Sequence, residues 1–154
     1  MLEQCKDLYE KELRKHFGSP VGCTEAQIVE LERSFASPMP LAYREYLKWM
    51  GADHNGPFRG SDWFAKDVVE NTEYVPELLR DNGVQWKLPA AILSFFCHQG
   101  YMCAWFDLQE AEADPKCWFF REGGMEQPKM VGPFSAFLLL ELKQVAALRS
   151  PQGS

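Results

Sequence analysis

Apolar positions change their spacing along this chain, from helical recurrence in the first half to short continuous runs in the second. Leu2, Cys5, Tyr9 and Leu13 share one face of a helix expected over residues 2–17, and Gly18-Ser19-Pro20 breaks it. Thr24-Glu25-Ala26-Gln27 fits a capping box, in which the threonine hydroxyl and the glutamine side chain each satisfy a first-turn amide. Ile28, Leu31 and Phe35 form the apolar stripe of the helix that follows, while Glu30, Glu32 and Arg33 fall outside it and are expected to face water. Pro38 and Pro40 end that helix, since each removes an amide donor and biases its predecessor away from helical geometry. Pro40 also suits the first position of a new helix. Tyr43, Tyr46, Leu47 and Met50 give that helix its stripe, Gly51 stands just past its end, and Asn55-Gly56-Pro57 is a turn. Phe58 to Val69 has no single pattern, mixing Trp63-Phe64 with a short helical signal through Val68 and Val69. Thr72 to Arg80 predicts a helix with Pro76 in its first turn, closed by Asp81-Asn82-Gly83.

After Leu88-Pro89 the texture is that of strands. Ile92–Cys97 and Tyr101–Phe106 are β-type runs around a His98-Gln99-Gly100 turn. An acidic loop, Glu110 to Pro115, leads to a third strand over Cys117–Arg121. Gly123-Gly124 turns the chain into a short fourth strand at Lys129–Val131, and Phe134–Leu148 is a closing helix rich in leucine and alanine. Helices first, an antiparallel meander next and a last helix predict an α+β fold. The expected organisation is a single domain over residues 1–149, with N-terminal helices packed on an antiparallel sheet of about four or more strands, a C-terminal helix and a flexible tail at 150–154.

Composition sharpens this picture in two ways. The five cysteines, Cys5, Cys23, Cys97, Cys103 and Cys117, are odd in number and no apolar leader precedes them, which predicts reduced thiols in the cytoplasm. A zinc site from Cys97-His98, Cys103 and Cys117 lacks a Cys-x-x-Cys knuckle, so buried free cysteines are the preferred reading. The net charge is −6, and its distribution is uneven: Asp53 to Glu126 holds 13 acidic residues against 6 basic ones. Such a centre disfavours a nucleic-acid binder, which needs cations to neutralise phosphate. It suits a basic protein partner, although an acidic surface is also ordinary for a soluble protein. No apolar run is long enough to span a bilayer.

Candidate chemistry is sparse. Asp53-His54-Asn55 is a polar turn without a second histidine at ligand spacing. Cys97 and His98 are neighbours on a strand and point to opposite faces, which separates a nucleophile from its base. No phosphate loop, nucleophile elbow or zinc-protease motif is present. The expectation is therefore a protein that is not an enzyme, with no catalytic, cofactor or metal residues. The acidic set Asp62, Asp67, Glu70, Glu73, Glu77 and Asp81, with Trp63 and Tyr74 as aromatic anchors, is the candidate partner surface. Its glutamates share a face only if helix continues across Asn71 and Thr72, and Thr72 is itself a candidate cap.

The stretch from the acidic helix through Met39-Pro40-Leu41-Ala42-Tyr43-Arg44-Glu45-Tyr46-Leu47 to Asn55-Gly56 resembles the opening motif of the Smi-one/Knr-four domain of the SUKH superfamily. Met39 stands where leucine is usual, and Ala52 to His54 separate Gly51 from Asn55. FFCHQGY at 95–101, followed by Trp105-Phe106, resembles a later strand–turn–strand segment of the same family. The resemblance spans roughly residues 20–145. It implies a non-enzymatic immunity protein of bacterial type that binds a cognate polymorphic or contact-dependent toxin and occludes its active site. The acidic centre would suit a basic, nuclease-like toxin. The alternative the resemblance allows is a regulatory scaffold in cell-wall synthesis or signalling. A third reading is an enzyme using His54 or His98. The expected state is a monomer or weak homodimer without nucleic-acid or membrane partners.

Overall fold

A computed structural model describes residues 1–149, so the expected tail at 150–154 lies outside the described residues. The chain opens with helix α1 (Glu3–Leu8), a π-helical turn (Tyr9–Leu13) and α2 (Arg14–Phe17), one continuous helical run. Helices α3 (Glu25–Phe35) and α4 (Leu41–Met50) follow, then a 3-10 turn (Ala65–Asp67) and α5 (Val68–Asp81). Strands β1 (Ile92–His98), β2 (Met102–Asp107), β3 (Lys116–Arg121) and β4 (Lys129–Pro133) form an antiparallel sheet in the order β1-β2-β3-β4. Helix α6 (Phe134–Leu148) closes the fold. The α+β expectation is met, strand for strand.

The sheet is covered on both faces. One face carries Leu93, Phe95, Phe96, Ala104, Phe106 and Cys117 into a core shared with α1, α4 and α6. Rings dominate it: Trp63 stacks on Phe58 at 4.5 Å, and Phe95 meets Tyr43, Trp63, Phe106, Phe134 and Phe137 within 6.5 Å. The other face carries Ile92, Cys97, Cys103, Trp105 and Phe120 into a smaller core with Val75, Leu78 and Leu79 of α5, and Trp86 packs at its margin. A β-bulge makes this division workable. The β1–β2 register slips between Ser94 and Phe96, so Phe95 and Phe96 both join the ring-rich face and Cys97 drops to the α5 face.

That slip also brings Cys97 directly opposite Cys103, and the two are joined by a disulfide. The expectation of five reduced thiols is thus corrected: Cys5, Cys23 and Cys117 alone are free, and all three are buried. Directly opposed residues of an antiparallel pair are close enough to bridge, and the expected hairpin, in the register it adopts, sets the two cysteines opposite each other near its tip. Cys117 lies on the opposite face of the sheet, so the three cysteines do not converge.

Two helix details differ from the sequence expectation. Pro40 is the N-cap of α4 rather than its first helical residue. Pro76 is mid-helix in α5, not in its first turn. An interior proline costs roughly 3 kcal/mol locally. Burying Val75, Leu78 and Leu79 against β1 and β2 offsets that, at about 1.5–3 kcal/mol per side chain.

Candidate functional site

Helix α5 runs unbroken through Asn71 and Thr72. Thr72 is not a cap: its hydroxyl donates to the Val68 carbonyl at 2.7 Å and accepts from the Ser94 amide at 2.9 Å, tying the helix to β1. Continuity has a direct consequence for charge. Glu70, Glu73, Glu77 and Asp81 fall on one helical face, and all four are exposed. Tyr74 lies beside them, half-buried, with its hydroxyl donating to the Gly100 carbonyl at 2.6 Å. Asp62 is exposed near the entry to this surface, where its backbone bridges Cys97 on the outer edge of β1.

Two members of the expected set have structural duties, and one of them, Trp63, is out of reach of solvent. Trp63 is 1% exposed and sits in the ring-rich core, touching Tyr46, Phe58, Phe95, Phe96 and Phe137. Its backbone carbonyl accepts from the Tyr46 hydroxyl at 2.7 Å. Asp67 is half-buried and accepts from the Phe64 amide at 3.3 Å, which fixes the turn into α5; burial raises its carboxyl above the ordinary value. Both are structural. Sequence proximity to exposed acids had suggested otherwise, because a tryptophan in a pattern-free loop carries no periodicity to mark it as core.

The ion pairs draw a sharp boundary. Among the described residues all of them lie within residues 1–48. Arg44 is the hub, reaching Glu25 of α3 and also Glu32 at 3.5 Å, while Lys48 reaches Glu25 at 3.3 Å. Hydrogen bonds from Arg44 and, to a smaller extent, Lys48 hold the Glu25 carboxyl down to about 2. Glu32 does not simply face water, as its place outside the stripe had predicted. It also accepts from the Met39 amide at 2.8 Å, which sets the path of Pro38-Met39-Pro40 between the two helices. Among the described residues none of the acidic side chains from Asp53 to Glu126 has a cation within 4.0 Å.

The histidines offer little chemistry. His54 packs edge-on to Phe64 at 4.8 Å, beside a groove of about 490 Å³ between α3 and the start of α5. His98 Nδ1 lies 2.7 Å from Ser61 Oγ, a pairing across 37 residues that no motif signals. Among the described residues no carboxylate hydrogen-bonds to this histidine, so the pair lacks the third group that orients a base. Asp53 is 5% exposed beneath the Asn55-Gly56 turn, and burial raises its carboxyl. Gly56 is required there, since a Cβ would come within 2.1 Å of the Asp53 carboxylate.

A family model described as the SMI1/KNR4 family (SUKH-1) matches residues 22–139, about three quarters of the chain. This chain belongs to the SMI1/KNR4 family. No curated protein matches it. The matched span runs from just before α3 into the first turns of α6, so this SMI1/KNR4 domain includes the Arg44 hub and all of α5. The helical run over residues 3–17 lies outside the span, yet it puts Leu2, Cys5, Tyr9 and Leu13 into the same core. Its motif residues have structural duties. Tyr43, Tyr46 and Leu47 are fully buried, and Arg44 joins α4 to α3.

Proposed function

We propose that this SMI1/KNR4 domain is a non-enzymatic binding protein that neutralises a cognate bacterial toxin, and that it presents the outer face of α5 to a basic surface near the toxin's active site. The observation that carries the second half is the row Glu70, Glu73, Glu77 and Asp81, exposed on one unbroken helix and without an ion-pair partner among the described residues. Like charges spaced along one helix face cost a few tenths of a kcal/mol per pair, a cost relieved when a cationic partner docks. Tyr74 supplies amphipathic contact area inside this charged surface. Asp62 extends it; Trp63 and Asp67 are dropped from it.

Inhibition on this reading is occlusion: the bound domain covers the toxin's substrate path, and the acidic field speeds encounter. No helix among the described residues is long and apolar enough to cross a membrane. The test is to mix the purified protein with the protein encoded beside its gene. A nanomolar-to-micromolar complex and protection on co-expression are expected. Reversing Glu73 and Glu77 together to lysine should slow association about tenfold or more and flatten its salt dependence. Absence of any complex sinks the toxin reading, and a complex indifferent to the reversal moves the site off α5.

A further inference from the structure

On the opposite face of the sheet from α5, a groove of about 630 Å³ runs between α6 and strands β1 to β4. Phe96, Phe119 and Phe137 form its wall, and around its mouth Leu140 is 53%, Val131 37% and Leu148 87% exposed. Met130, next to Val131, is 51% exposed. Helix α6 is apolar on most of its circumference, although only one side of it faces the core. Within this groove stands one carboxylate, Glu141, half-buried and without a hydrogen bond or ion pair to any described residue. Burial raises its carboxyl, and no neighbouring charge opposes that rise.

Among the described residues no cation pairs with Glu141. Arg121 lines the groove, but its guanidinium lies over Gly124, where a Cβ would come within 2.9 Å of it. Arg149 stacks over the Phe17 ring at 4.9 Å. Ser61, His98 and Gln144 give the groove polar edges, but Glu141 itself stands beside Phe137 and Leu140, and a carboxylate so placed is complementary to a long side chain with an apolar stem and a positive end. We propose that the α6 groove is a second docking site, for an extended protein segment whose lysine or arginine lays its stem along Phe137 and Leu140 and pairs its head with Glu141. A second copy of this chain is the poorer occupant, since a two-fold contact across the groove would bring two uncompensated carboxylates into one apolar interface. An anionic lipid surface or nucleic acid would meet the same carboxylate as repulsion.

The proposal concerns a different surface from the acidic face of α5 and stands or falls separately. Its test uses the full chain and a short fluorescent peptide alternating leucine and lysine, with the leucine–glutamate peptide as control, read by anisotropy at physiological salt. Saturable binding of the lysine peptide alone is expected. Glu141→Gln should weaken it about tenfold or more, as loss of one partner of a desolvated charge pair does. Leu140→Ser should weaken it as well, with an unchanged thermal transition in both variants. The Glu73→Lys, Glu77→Lys protein should bind the peptide as the wild type does. Equal affinity in Glu141→Gln, or loss in the α5 variant instead, overturns the proposal. So does a concentration-dependent dimer, seen by sedimentation, that Leu140→Ser abolishes.

Discussion

The two faces of the sheet are built differently. The face toward α1, α4 and α6 is a continuous network of rings, with Tyr43, Tyr46, Trp63, Phe95, Phe106 and Phe134 all at 1% exposure or less. The face under α5 is thinner: a few aliphatic side chains, Trp105 and Phe120, the half-buried Trp86 and Trp118 at its margin, and a disulfide. Recognisable family residues such as Tyr43 and Leu47 crowd the first face. The acidic row of α5 lies over the second. A scaffold that is anchored through one face leaves the helix on the other free to vary its exposed residues at little cost to folding. On this division, the residues that identify the family are packing residues.

The sharpest way to break the comparison is to truncate one tryptophan from each face. Trp63→Ala should cost about 3–5 kcal/mol in denaturant unfolding, the range for a fully buried large aromatic. Trp86→Ala, at a half-buried site, should cost less than half as much; equal losses would show that the faces carry equal weight. Next in size is the fastening of the thinner face. Replacing Cys97 and Cys103 together by serine should lower stability by about 2 kcal/mol, and thiol titration of the unfolded wild type should count three thiols rather than five. Thr24→Ala removes one half of the capping box, whose two bonds measure 2.8 and 3.1 Å, and should cost about 1 kcal/mol by thermal melting.

The smallest effect belongs to Asp53. Burial sets its folded pKa above the unfolded value near 3.8, so its contribution to stability is fully present below that value and is lost as pH rises through the folded pKa. Asp53→Asn should therefore raise stability at neutral pH and leave it nearly unchanged in acid. Unfolding curves at the two pH values check the sign.

Local chemistry was legible in the sequence and long-range pairing was not. The Thr24–Gln27 box forms as its four residues predict, and the strands lie where β-type runs met turn residues. The Gln99-Gly100 turn has both residues at positive φ, the geometry a tight hairpin needs. Glu32 was misjudged because its partners, the Met39 amide and Arg44, come from the linker and the next helix. Thr72 was misjudged because a threonine before a proline-containing run imitates a cap, whereas here its hydroxyl bonds back within the helix and out to β1. For the candidate surface, the spacing of Glu70, Glu73 and Glu77 was readable, but helix continuity decided whether it meant anything. Trp63 and Asp67 were separated from the set only by burial, which depends on the whole fold.

The slip between Ser94 and Phe96 gives β1 a change of phase. Before it, odd-numbered residues face the rings; after it, even-numbered ones do. The strand thus behaves like a text with one inserted letter, and deletion of Phe95 would restore a single reading frame. Such a chain would keep Phe96 toward the rings and Cys97 toward α5, opposite Cys103, so the cysteines stay together and the ring network alone loses a member.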